Sequence, residues 1–148
     1  MRHLSLVLLA GGLSLASFSA LARNDRSVQS LQDALNSPQV SALDKEVRVF
    51  FGGQRHPRVA EKIGEWSSQR RGSAGRTDAE TAGGCHYAFA EALDQLMKRA
   101  AKEGGNAVIG IYSVHGDTPL HSTTQYQCGI GNVKTAVRLT GTVVKLGR

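Results

Sequence analysis

Between Cys85 and Val114 the chain reads as one helix, one stop and one strand, and that order constrains its fold more than any other feature. Over residues 85–103, Phe89, Leu93, Leu96 and Ala100 mark one helical stripe, with Ala92 and Met97 beside it. Glu91, Asp94, Lys98 and Lys102 lie off that stripe, and Lys98, Arg99 and Lys102 fall in the last turns, where positive charge suits the carbonyl end of a helix. Gly104-Gly105 is a helix stop. The run "NAVIGIYSV" (106–114) then reads as a continuous apolar strand, buried on both faces. A one-sided helix leading into such a strand needs a sheet to cover its stripe, so the expected class is α+β.

The flanking segments supply that sheet. "EVRVFF" (46–51) alternates and is rich in β-formers, and Gly52-Gly53 ends it. Residues 59–71 would place Val59, Ile63 and Trp66 on one helix face, but Gly64, Ser67 and Ser68 disfavour a helix interior, so a strand is expected over 61–70. "GSAGRTDAETAGG" (72–84) is small, polar and glycine-rich and reads as a loop whose C-terminal half already belongs to the next helix. Residues 115–122 read as a turn-rich loop, 123–128 as a strand, 129–132 as a tight connection and 133–146 as a long strand. In the last, Thr135, Val137, Leu139, Gly141 and Val143 share one face, with Arg138, Thr140 and Thr142 on the other. The expected order is β-β-α-β-β-β, one main helix packed on a mainly antiparallel sheet, in a single domain over 46–148. Residues 25–36, with Val28, Leu31, Ala34 and Leu35 at helical spacing, read as a short helix or an arm (23–45) before it.

The first 22 residues carry the three-part order of a secretory signal peptide: Arg2, an apolar run over 4–15, and a small-residue site ending at Ala22. That apolar run is shorter than the roughly 20 residues a permanent span needs. Cleavage near Ala22 places the mature chain in the periplasm or outside the cell. Losing Arg2 leaves seventeen Lys plus Arg against twelve acids, a net charge of +5. Such a charge favours anionic envelope partners: lipid head groups, acidic polysaccharide or an acidic protein face. Only eight aromatic residues are present, and the basic residues are scattered apart from Arg55/Arg58 and Arg70/Arg71/Arg76, which argues against a nucleic-acid surface. Arg70, Arg71 and Arg76 are the candidate anion-binding edge. In an exported chain the two cysteines, Cys85 and Cys128, read first as a disulfide.

Three other chemistries compete with this reading. A phosphate loop needs a strand, Gly-x-x-x-x-Gly-Lys-Ser/Thr and a following helix. "KEGGNAVIG" has the helix first, and "GIGNVKT" has Val133 before Lys134 and a strand after it. Neither points a helix N-terminus at a phosphate. Cys85, His86, His115, His121 and Cys128 are metal-ligand types, yet their spacing forms no compact metal signature, and a metal-binding protein is the alternative reading. Ser113, His115 and Asp117 are close in sequence, but a working triad usually draws its members from separate segments, and no Gly-x-Ser-x-Gly elbow is present. A small hydrolase is the third reading, and no enzyme and no cofactor are expected.

From Ile63 onwards, about 85 of the 126 residues after position 22, the chain resembles YbjQ-like and RcsF-like domains. The residues carrying this are "IGEW" (63–66), the strand "GGNAVIGIYSV" after a long helix, and "GTVVKL" (141–146). YbjQ-like proteins are cytoplasmic, ring-forming domains described as heavy-metal binders. RcsF-like proteins are disulfide-bearing envelope proteins that report stress through outer-membrane proteins and lipopolysaccharide. The resemblance implies that Cys85 matches an RcsF-like disulfide position and that Cys128 sits where its partner cysteines cluster. The family's four cysteines, lipidated N-terminus and proline-rich linker have no counterpart here. Exported chains resembling this one are sometimes labelled an excinuclease ATPase subunit, a label without support in these residues. The expectation is an exported, non-enzymatic binding or envelope-sensing domain held by Cys85 and Cys128.

Overall fold

In the computed structural model, which describes residues 23–148, the chain enters as a strand, β1 (Asp25–Ser30), followed by two short helices, α1 (Leu31–Leu35) and α2 (Pro38–Ser41). Then come β2 (Arg48–Phe51), β3 (Val59–Ser73), the long helix α3 (Asp78–Lys102), β4 (Ala107–His115), β5 (Thr118–Leu120), β6 (Gln125–Ile130) and β7 (Lys134–Leu146). The expected signal peptide, residues 1–22, lies outside the described residues. No described helix is long and apolar enough to cross a membrane.

Residues 25–36, expected as a short helix or an arm, divide into a strand and a short helix. Residues 25–30 run antiparallel along β6, with Asp25 opposite Ile130 and Ser30 opposite Gln125. Ser30 marks the change, because its Oγ accepts from the Asp33 N–H and caps α1. Of the helical stripe, Leu31 and Ala34 are buried, whereas Val28 is 44% exposed. Covering an otherwise bare strand edge outweighs a weak local helix preference.

The later half of 72–84 belongs to the helix, as expected, and the start is fixed by a cap. Thr77 Oγ1 accepts from the Glu80 N–H at 3.2 Å, and Glu80 Oε2 accepts from the Thr77 N–H at 3.1 Å. This reciprocal cap starts α3 at Asp78. Gly83 and Gly84 therefore lie inside the helix. Gly84 sits where α3 touches β3: a Cβ there would fall 1.8 Å from the Ser73 carbonyl oxygen, and one on Gly72 would fall 2.1 Å from the Gly84 oxygen. Helix and strand meet backbone to backbone. At the other end Gly104 adopts φ +79, so the double glycine is the helix stop it reads as.

The strands expected near 46–51, 106–114, 123–128 and 133–146 are present, and the one over 61–70 extends to 59–73. A short strand, β5, lies within the predicted loop 115–122, turned back onto β4 at Gly116, whose φ is +57. The seven described strands form one sheet around β7. One side of β7 pairs with β3 along its length, and the other is shared by β4 and β6. Every pairing is antiparallel except β2 with β4.

The expected β7 face is the buried one: Val137, Leu139 and Val143 meet Phe89, Leu93 and Leu96 of α3, with Val108 and Ile111 of β4. The opposite face keeps a smaller cluster, in which Phe50, Val59 and Ile109 pack on Ala107, Val144 and Leu146. The main core also holds Tyr126, 4.6 Å from Phe89 ring to ring. Its hydroxyl is buried and has no hydrogen-bond partner among the described residues. Burial first, and the Asp33 charge second, push its ionisation well above the usual phenol range. The folded state keeps its proton where the unfolded state loses it, so stability should fall as pH rises above about 10, by up to about 1.4 kcal/mol per unit. Tyr126→Phe is expected to be neutral or stabilising at pH 7 and to flatten that alkaline decline. Urea unfolding at pH 7 and pH 11 checks this, and an unchanged alkaline slope in the variant would refute it.

Candidate functional site

Alternation along β3 decides which side chains meet α3. Trp66, Ser68, Arg70 and Gly72 face the helix, and Ser67, Gln69 and Arg71 face away. Ser67 Oγ accordingly lies 2.6 Å from Thr140 Oγ1 on the uncovered face of the sheet. On α3, Gln95, Lys98, Arg99 and Lys102 recur at three- and four-residue steps and line one flank of the apolar stripe. Between the two rows runs an open groove of about 390 Å³.

The groove is positively charged. Among the described residues its lining holds four cations, Arg70, Lys98, Arg99 and Lys102, and no carboxylate. Two of them have partners on the helix: Lys98 Nζ lies 2.5 Å from Asp94, and Arg99 Nε 2.8 Å from Glu103. The hydrogen bond to Asp94, then its charge, raise the Lys98 pKa and keep it protonated. Arg99 also lies over the indole of Trp66, 4.8 Å from the ring centre. Arg70 and Lys102 have no carboxylate partner among the described residues. Arg70 Nη1 instead donates to the Gln69 carbonyl at 2.8 Å. Ser68 lies beneath the groove, its Oγ buried and without a hydrogen-bond partner among the described residues. A cluster of cations beside one aromatic ring is equipped to bind an anion.

The three arginines expected to form an anion-binding edge are not brought together. Arg70 enters the groove. Arg71 points the other way and lines a separate cleft with Tyr87 and Lys134. Arg76 lies in the turn before α3, where its main-chain N–H donates to Glu80. Sequence reasoning missed Trp66 and the helix cations as site residues. The signal was the two-residue step from Trp66 to Arg70 set against the helical step from Gln95 to Lys102.

Cys85 and Cys128 form a disulfide, with Cα atoms 5.9 Å apart. Both are fully buried and join the first half of α3 to β6. A metal site drawing on those thiolates would compete with that bridge. The candidate histidines lie apart: His86 faces the Tyr126 ring at 6.4 Å, His121 stacks on Tyr112 at 4.2 Å, and His115 lies against Gly129. Among the described residues, no three His, Cys, Asp or Glu side chains converge to hold a metal ion. Ser113 is buried, and its Oγ accepts from the Gln127 N–H at 2.8 Å. His115 lines a shallow cleft with Arg138, and Asp117 sits in the β4–β5 turn. No hydrogen bond links Ser113, His115 and Asp117 among the described residues. "GIGNVKT" spans the turn from β6 to β7, closed by the Gly131 N–H donating to Lys134.

Compared with profiles of known families and with curated proteins, the chain matches none. Among solved structures, it is similar to a crystal structure at 2.73 Å of a protein of unknown function of the DUF74 family from Pediococcus pentosaceus. The two are 16% identical, the match covers 68% of this chain and 98% of that one, and the TM-score is 0.48. That likeness carries no argument about function.

Proposed function

We propose that this protein is an exported, non-catalytic binding domain that takes an anionic envelope partner in the groove between β3 and α3. The observation that carries this reading is the groove's lining of four cations without a carboxylate among the described residues, two of them lacking an acidic partner there. The buried disulfide points the same way on location, since such bridges persist in oxidising compartments outside the cytoplasm. So does the resemblance of the chain from Ile63 onwards to RcsF-like envelope domains. The domain holds its groove open on a bridged core, and the ligand is drawn in by charge.

Trp66 is the sole tryptophan and lines the groove, so its fluorescence reports directly on occupancy. Heparin, polyphosphate and an acidic peptide are suitable probes. Binding should weaken as salt rises, because exposed charges are screened. The double variant Arg70→Gln/Lys102→Gln is expected to lose roughly tenfold in affinity, near 0.7 kcal/mol for each exposed cation. Arg71→Gln/Arg76→Gln, away from the groove, should change affinity less than about twofold by the same scale. If no anion alters Trp66 emission, or if both double variants lose equally, the groove is not the binding surface.

A further inference from the structure

We infer that the groove's partner is an extended acidic segment of another protein, which adds as a strand to the outer edge of β3. This rests on the anion-binding reading above and names its ligand and mode. β3 pairs with β7 on one side, and no described strand pairs with its other side. A strand in that position presents outward N–H and C=O groups at alternate residues.

The two halves of β3 treat that edge differently. Register shifts at Val59/Glu61 and Lys62/Gly64 break the first half, a common way to discourage edge pairing. From Gly64 to Ser73 the register against β7 runs without a shift, so this half has the regular geometry a further strand needs. The groove lies along this regular half. It is lined by every residue from 66 to 70, although side chains at 67 and 69 point to the opposite face. The main chain itself must therefore border the groove. Arg70 Nη1 donates to the Gln69 carbonyl, as the N–H of an added strand would.

Charge selects what the edge accepts. An added strand repeats its helix-facing side chains every 6.6–6.8 Å, roughly. The step from Lys98 to Lys102 on α3 is one turn, about 5.4 to 6 Å. Acidic side chains at alternate positions thus come within reach of successive cations, while main-chain pairing supplies length and direction. A second copy of this chain would instead bring the same four cations to the same groove.

The test uses the intact mature protein and three probes. The first is a nine-residue peptide with glutamate at alternate positions and threonine between them. The second is the same peptide N-methylated at alternate amides, made in both phases, which keeps the charge and blocks strand pairing in one phase. The third is heparin. Trp66 fluorescence reads binding, and hydrogen exchange reads the β3 amides. The unmodified peptide should bind and slow exchange at alternate amides within 65–71. Methylation in one phase should weaken it roughly tenfold or more, the loss expected for a few main-chain hydrogen bonds. If both methylated peptides and heparin bind as well as the parent and leave β3 exchange unchanged, the groove takes anions and the strand-addition inference falls. If nothing binds, the anion-binding reading falls with it. Concentration-dependent dimers that protect β3 and exclude the peptide would make a second copy the occupant and overturn the inference.

Discussion

A Cys85→Ala/Cys128→Ala variant is expected to unfold about 15 °C below the wild type, measured without reductant. The bridge closes a loop across a separation of 43 residues. Loop closure of that size stabilises by about 4 kcal/mol in the chain-entropy model. For a domain of this length each kcal/mol moves the melting temperature by roughly 4 °C. Both sulfurs are fully buried between α3 and β6, so the alanines also leave unfilled volume, which acts in the same direction. The same burial shields the bridge from reductant in the native state. Reductant added to the folded wild type should leave its melting curve unchanged until the chain begins to open. Circular dichroism melts check the first statement, and intact mass after alkylation without reductant checks the bridge. A variant melting within 2 °C of wild type, or a wild-type mass carrying two alkyl groups, would overturn the structural role assigned here.

Gly84→Ala is expected to destabilise by 2 kcal/mol or more, and Gly83→Ala to stabilise by about 0.5–1 kcal/mol, although the two are neighbours on one helix. Propensity alone favours alanine at both positions by about 1 kcal/mol. At Gly83 nothing lies within 4 Å of an added Cβ, so propensity decides. At Gly84 the Cβ would lie 1.8 Å from the Ser73 carbonyl oxygen, a main-chain atom that cannot swing aside. Seating the methyl requires α3 to lift from β3, which loosens the helix next to Cys85 and disturbs the cleft that Gly84 lines with Arg71 and Tyr87. Urea denaturation of the two single variants separates the effects. Equal shifts of the same sign would show that α3 does not rest on β3 as described.

The same two glycines show where sequence reading stops. Gly83 and Gly84 look alike in the string "GSAGRTDAETAGG" and pulled the expected helix start to Cys85. The capping pair Thr77 and Glu80 was present in that string as a start signal, outweighed by the glycine count. Glycine in a helix interior costs stability unless something needs the space, and only the crossing of β3 by α3 reveals the need. Over β1 the sequence left helix and arm both open. Its helical spacing was weak, and pairing with β6 offered more than a solvent-exposed turn of helix. The candidate site was half legible. Arg70 was singled out, but with neighbours that strand alternation sends elsewhere. Lys98, Arg99 and Lys102 were explained by the helix dipole, a local effect that hid their place beside Trp66.

What the sequence determined by itself is local or compositional: one amphipathic helix ending at Gly104-Gly105, the face of β7 that is buried, the α+β class, and a pair of cysteines suited to an oxidising compartment. These follow from periodicity, left-handed glycine and redox chemistry, each expressed within a few residues or in a simple count. What only the tertiary structure decided is which distant segments touch. β7 lies between β3 on one side and β4 with β6 on the other, Gly84 is pressed onto Ser73, and Arg70 shares a groove with Lys102. Such contacts join residues tens of positions apart, and their selection depends on packing summed over the whole core, which no single stretch of sequence encodes.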